Sequence, residues 1–172
     1  MSTPRAFGGE VTEESQKQLA LTFVEKVAGI NLSRFAKNIT VGRPGLDYDV
    51  QVRISSEQGN VTAKVYLMNG KVWRFWYKPE TPPSWLWTET TNSKLAAARR
   101  IVERSQLYLN ASNTQCLDLL SSAVPNQNQS IAKENMTLQI KENGRQFDWE
   151  YKLGGVTVLV CLQMQISDDG HL

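Results

Sequence analysis

The sequence predicts an α+β fold built as two halves, each a helical start followed by an antiparallel meander, with the helices packed on the sheet faces. Three observations carry this. Apolar residues recur at helical spacing near the start of each half, period-two alternation follows them, and the pairs Asn69-Gly70, Asn143-Gly144 and Gly154-Gly155 separate alternating runs. Such pairs mark tight hairpins because both positions tolerate positive φ.

Residues 1–10, with Pro4, Gly8 and Gly9, read as a flexible lead-in. The first α+β half spans 11–78. Thr12 is the expected helix cap, with Glu13 and Glu14 favourable in the first turn. Leu19, Ala20, Phe23, Val24 and Val27 then form the apolar stripe, and Gly29 stops the helix. Asn38–Gly42 is a short strand. Tyr48, Val50, Val52 and Ile54 alternate with Asp49, Gln51 and Arg53. Val61, Ala63, Val65 and Leu67 alternate again, and the aromatic-rich return strand is Lys71–Lys78.

Residues 79–91 hold Pro79, Pro82, Pro83, Trp85 and Trp87 and read as a Pro/Trp linker. The second α+β half spans 92–172. Its helix is expected over 92–109, with Leu95, Ala98, Val102 and Leu109 on one stripe, widened by Ile101 and Tyr108. A shorter helix is expected over 114–123, ahead of Pro125, and 125–130 reads as a polar loop. Met136, Leu138 and Ile140 form one strand, and Phe147, Trp149 and Tyr151 the next. Val156, Val158, Val160, Leu162, Met164 and Ile166 alternate in the longest strand, and Asp168-Asp169-Gly170 reads as a turn. The shared order of the halves points to an internal duplication.

Composition excludes several functions. The chain has 172 residues, is 41% hydrophobic and carries a net charge of +2, enough apolar content for a core and no overall basic field for nucleic acid. No run approaches the roughly 20 apolar residues of a membrane span. The single histidine, His171, lies one residue from the C-terminus, at an end expected to fray. That leaves no base for a serine or cysteine nucleophile and no multi-histidine metal site. No phosphate-binding glycine loop occurs, and no cofactor is implied. Asp47 and Asp49 flank Tyr48 in a pattern that acid–base or calcium chemistry uses, but an alternating strand's polar face is the simpler reading.

Compartment is read from asparagine. Six Asn-x-Ser/Thr triplets occur, at Asn31, Asn38, Asn60, Asn110, Asn128 and Asn135, none with proline in the middle. Random placement of these residue types gives about 1.6 such triplets. A secreted or cell-surface glycoprotein carrying N-linked glycans is expected. Residues 1–30 contain no signal sequence, so a leader is expected upstream of Met1. Cys116 and Cys161 suit that compartment, either as one disulfide or as two buried thiols.

The aromatic cluster is the candidate binding surface. Trp73, Phe75 and Tyr77 alternate on one strand face, Trp76 lies on the other, and Trp85 and Trp87 follow in the linker. Exposed, these rings can stack on sugars or bury against a partner. Buried, they pack under the first helix and clamp the halves. Arg74 beside Trp76 is a candidate cation–π pair. Arg99, Arg100, Glu103 and Arg104 read as a solvated helix face.

The helix-plus-meander halves resemble the PepSY-like and cystatin-like α+β modules of secreted proteins. Gly29–Ser33, the helix AAARRIVERSQLYL over 96–109, and Asn135–Leu138 with Phe147-Asp148-Trp149 resemble uncharacterised archaeal secreted or cell-surface protein families. In those families the domain often continues past the position of Asp169, so a further strand is expected beyond it. The resemblance implies an extracellular domain with no known reaction. The function expected is a non-catalytic extracellular glycoprotein domain in cell-surface structure or protein–protein association, self-assembling through open sheet edges. The alternative is a ligand-binding or inhibitory module of the PepSY/cystatin type that uses the aromatic surface.

Overall fold

A computed structural model describes residues 12–35, 38–42, 50–57, 59–68, 71–78, 83–105 and 113–172. The fold is α+β, with helices packed against an antiparallel sheet in each half. The chain divides into two compact units, Met1–Thr22 with Leu32–Pro82, and Phe23–Asn31 with Pro83–Leu172. The division does not follow chain order, since nine residues of the first half, 23–31, group with the second unit. The lead-in 1–10, the pair Asp47 and Asp49, the Asn69-Gly70 turn and Pro79–Pro82 lie outside the described residues.

The first unit holds helix α1 (Glu13–Thr22), a single turn α2 (Leu32–Phe35) and strands β1 (Asn38–Gly42), β2 (Val50–Ser55), β3 (Thr62–Met68) and β4 (Lys71–Lys78). Thr12 caps α1, its Oγ1 accepting the Ser15 N–H at 3.1 Å. The strands run in the order β1-β2-β3-β4, all antiparallel. Alternation sends Val52, Ile54, Ala63, Val65 and Leu67 to one face, where each is fully buried, and α1 packs against β2, β3 and β4. Ala20 of α1 and Phe35 of α2 are buried in the same unit. A bulge between Tyr66 and Leu67 makes Trp73 the extra residue on β4. Val72 therefore faces inward opposite Leu67, and Phe75 faces inward opposite Val65.

The second unit holds a π-wound turn (Phe23–Val27), a 3₁₀ turn (Ser84–Leu86), helices α3 (Lys94–Arg104) and α4 (Asn113–Ser121), and strands β5 (Gln129–Lys133), β6 (Met136–Lys141), β7 (Gln146–Leu153) and β8 (Val156–Gln165). These strands run in the order β5-β6-β7-β8. Leu138, Ile140, Phe147, Trp149, Leu162 and Met164 are buried on one face, and α4 packs on β5 and β6 through an element that buries Cys116, Leu119 and Leu120. Trp149 Nε1–H donates to the Cys116 carbonyl at 3.3 Å, tying sheet to helix at the centre of this core.

Several sequence expectations are corrected here. The helix expected over 92–109 ends at Arg104. The Ser105 hydroxyl and the Asn113 amide both donate to the Val102 carbonyl, at 2.8 and 3.1 Å, and so satisfy a helix-end acceptor without another turn. The polar stretch 125–130 is only partly loop, since Gln129 and Ser130 begin β5, whose side chains are mostly exposed. The long β8 does not keep one parity. The bulge after Trp149 turns Val160 outward, to 51% exposure, while Leu162 and Met164 stay buried; a second bulge after Tyr151 restores the parity, and Val156, opposite Leu153 beside the hairpin turn, is 66% exposed.

The Pro/Trp stretch is not a bare connector over its second part. Leu86 is fully buried, Trp87 pairs with Ile30 as an antiparallel bridge, and the Thr88 N–H reaches the Gly29 carbonyl at 2.8 Å. Gly29 has φ +74°, which ends the π-wound turn and turns its carbonyl to Thr88.

The C-terminus is not frayed. His171 is 5% exposed and stacks on Trp87, with ring centroids 4.1 Å apart and planes 9° from parallel. Arg100 donates to the Gly170 carbonyl at 2.9 Å, and Thr91 N–H to the Asp169 carbonyl at 3.2 Å. At Gly170, with φ +76°, an added Cβ would lie 2.5 Å from Thr91 Cγ2.

Two outcomes test this packing. Trp149→Ala is expected to lower the unfolding free energy by about 3–5 kcal/mol, as for other large core truncations, measured by urea denaturation. Gly170→Ala is expected to be destabilising by at least about 1–2 kcal/mol from its left-handed backbone alone, with more added by the Thr91 contact. A wild-type midpoint for either variant contradicts the assignment.

Candidate functional site

The candidate site is the outer face of the first sheet, the side turned away from the apolar residues that α1 covers. Its composition follows from alternation. Strands β1 to β4 contain five cations, Arg53, Lys64, Lys71, Arg74 and Lys78, and no carboxylate. The register places all five on the outer parity. Arg53, Lys64 and Trp76 lie side by side across β2, β3 and β4, and Gln51, Tyr66 and Arg74 form the next row. Arg53, Lys71, Arg74, Trp76 and Lys78 are exposed, while Lys64 and Tyr66 are half-buried.

Two rings described on this face, those of Trp76 and Tyr66, each carry a cation. Lys64 Nζ lies 5.1 Å from the Trp76 ring centroid, and the Arg74 guanidinium carbon lies 6.0 Å from that of Tyr66. The partner of Arg74 is thus Tyr66, not the Trp76 suggested by chain proximity. Cross-strand neighbours sit closer on a sheet than residues two apart along one strand. None of the ion pairs among the described residues involves Arg53, Lys64, Arg74 or Lys78.

The expected aromatic cluster divides. Trp76 is 40% exposed on the outer face. Phe75 and Tyr77 are half-buried on the inner face, their ring centroids 6.0 Å apart, and burial pushes the Tyr77 phenol up from its ordinary pKa. The expectation for the Trp73 side chain lies outside the described residues. In the second unit, Trp85 is 37% exposed on the 3₁₀ turn, whereas Trp87 is buried against His171.

Among the asparagines of the six triplets, Asn38, Asn60, Asn128 and Asn135 are exposed and Asn31 is half-buried. Asn110 lies outside the described residues. Asn60 accepts from the Ser56 hydroxyl at 2.7 Å, and Asn128 from the Asn143 N–H at 2.8 Å. Asn135 occupies the β5–β6 turn, which joins the edge strand β5 to the interior strand β6. Cys116 and Cys161 are free thiols, the first buried and the second half-buried. Burial and the nearby Cys161 push the Cys116 thiol up to about 12, so it is protonated and unreactive at neutral pH.

Other charged groups are engaged in structure. Asp148, 3% exposed, accepts from Lys141 at 2.8 Å, from Gln146 at 2.8 Å and from Gln163 at 2.9 Å. Arg100 and Arg104 both pair with Glu89, at 3.4 and 2.8 Å, rather than lying free on a solvated face, and Arg104 chiefly holds the Glu89 carboxyl below the usual range. Arg145 and Lys94 pair with Asp168, Arg145 chiefly holding its carboxyl below the usual range. Among the described residues, no group of three or more His, Cys, Asp or Glu is placed to hold a metal ion, and no helix is long and apolar enough to cross a membrane.

Compared with known proteins, the chain matches no family model, no curated protein and no solved structure. Of the cations on the first sheet's outer face, only Arg74 was singled out from the sequence, and then as a partner of Trp76. Counting charge by strand parity, rather than over the whole chain, is the signal that finds them.

The buried His171 makes stability depend on pH. Burial lowers its pKa below 6.5, opposed by Asp169 and aided by Arg100. The folded state therefore favours neutral imidazole. Its contribution to stability is full above the ordinary histidine pKa of about 6.5 and is lost as pH falls from there towards the lowered folded value. Urea midpoints taken between about pH 7.5 and pH 5 are expected to fall for the natural chain, and to fall less for His171→Phe, which keeps a ring against Trp87. Identical slopes would remove His171 as the cause.

Proposed function

We propose that this chain is a non-catalytic extracellular glycoprotein domain acting in cell-surface structure or protein–protein association, and that it self-assembles through a sheet edge. The observation that carries this reading is the coincidence of exposed triplet asparagines with an open apolar edge. Asn38, Asn60, Asn128 and Asn135 are exposed, as glycan transfer requires. Strand β8 ends its sheet, and Leu153, Val156 and Val160 are exposed at 54%, 66% and 51% along or beside it. A ten-residue edge strand that pairs with β7 on one side only among the described residues, and that carries apolar side chains, is a template for another chain. The likeness of the halves to PepSY-like and cystatin-like modules of archaeal surface proteins belongs to the same reading.

The alternative, a ligand-binding module that uses an aromatic surface, is favoured by one specific observation. Trp76 remains 40% exposed within a row of cations.

Two measurements test the proposal. Glycopeptide mapping of natively produced protein is expected to find glycans on several of the exposed asparagines, and six bare sites would refute the glycoprotein. Light scattering on the eluting protein is expected to show a mass that rises with concentration in the natural chain. Val160→Lys, which places a charge on the β8 edge, is expected to hold it at monomer mass. A natural chain that stays monomeric throughout would refute self-assembly.

A further inference from the structure

We propose that the outer face of the β1–β4 sheet is a binding surface for an extended acidic polysaccharide, one whose sugar units carry carboxylate groups. The proposal stands apart from self-assembly through β8 and from glycan attachment.

Charge complementarity is the first argument. Arg53, Lys64, Lys71, Arg74 and Lys78 share one sheet face whose four strands contain no Asp or Glu. Four of them, Arg53, Lys64, Arg74 and Lys78, enter none of the ion pairs among the described residues. Elsewhere among the described residues most cations are matched, as Arg100 and Arg104 are by Glu89, and Lys94 and Arg145 by Asp168, while Arg99 bonds the Ser121 hydroxyl. Among the described residues, this face thus gathers several basic side chains that are left to meet an external anion.

Shape is the second argument. The cations are spread over a pleated surface, about 4.8 Å apart across strands and about 6.6 Å apart along them at alternate positions. Such a grid suits a linear chain bearing charge at regular intervals better than a compact anion that needs convergent donors.

The rings decide the class of polymer. A nucleic acid base stacks on an open aromatic face. Here Lys64 lies over Trp76 and Arg74 over Tyr66, so one face of each ring already holds a cation. A guanidinium held over a ring keeps its in-plane N–H edge for a carboxylate. The exposed part of Trp76 offers an apolar flank to the C–H face of a sugar. A lipid surface calls for several protruding apolar groups, and Trp76 is the one large hydrophobic side chain exposed among those described on these strands.

The test uses the full chain, with binding measured by calorimetry and by tryptophan fluorescence. The probes are a galacturonic acid decamer, a neutral dextran oligomer of equal length, a thymidine decanucleotide, and phosphatidylglycerol vesicles. The galacturonate is expected to bind and to weaken steadily with added salt, while the dextran does not bind. The double variant Lys64→Gln/Arg74→Gln is expected to lose affinity on the order of tenfold, with an unchanged circular dichroism spectrum and melting temperature. Lys64→Arg/Arg74→Lys is expected to recover most of it. Trp76→Ala is expected to weaken galacturonate several-fold. Should the double variant be destabilised, Arg53→Gln/Lys78→Gln supplies the same reading at exposed positions. Failure of the galacturonate to bind, equal binding of dextran, or tighter binding of the oligonucleotide or of the vesicles overturns the proposal.

Discussion

Each four-stranded meander has one face that must be covered, and that requirement organises the rest of the molecule. In the first unit Val52, Ile54, Val65 and Leu67 face the same way, and α1 packs on the strands that carry them. In the second, Leu138, Ile140, Phe147 and Trp149 do so, with α4 against the sheet. At about 1.5–3 kcal/mol for each large side chain taken out of water, four such residues outweigh any single polar contact in either unit. Alternation then fixes everything on the opposite face, because each residue turned inward sends its neighbours outward. The row of cations on the first sheet is a by-product of the same rule that builds its core.

Alternation also sets what could be anticipated. Strand β4 falls where Lys71–Lys78 places it, because apolar and polar residues interleave and a turn pair precedes it. Strand β5 is poorly legible because Gln129–Lys133 has a single large apolar residue, Ile131, and gains its place by pairing with β6. The bulge residues are illegible for another reason. Nothing local in the run from Val156 to Ile166 says that Cys161 is the extra residue opposite Trp149, yet that one insertion turns Val160 outward. The long-range partners of Trp87 and His171 were equally out of reach, since their stack joins positions far apart in the chain.

Charge behaves in the same way. A net charge of +2 describes a nearly balanced molecule. Balance over the whole chain conceals local sorting, with acids collected at Glu89, Asp148 and Asp168, where they meet basic partners, and absent from β1 to β4. Net charge limits the long-range field, whereas a bound polymer meets a surface at close range. The candidate site was therefore legible only in part: the sequence showed the aromatic strand, but pairing across β2, β3 and β4 was needed to bring Arg53 and Lys64 beside it.

The bridge between Ile30 and Trp87 bears on how the protein is made. Residues 23–31 leave a ribosome early, yet they complete a unit whose other members, residues 83–172, leave late. Until Trp87 and Thr88 emerge, Ile30 has no bridging strand and the Gly29 carbonyl lacks its two donors from Thr88. The N-terminal sheet has all its own strands by residue 78, so it can form before the partners of this short apolar segment exist. That interval, with Phe23, Val24, Val27 and Ile30 uncovered, is when the nascent chain is most open to aggregation and to chaperones. Cutting the chain at its proline-rich middle would separate the second sheet from its early segment, so a clean dissection has to carry residues 23–31 with the C-terminal part.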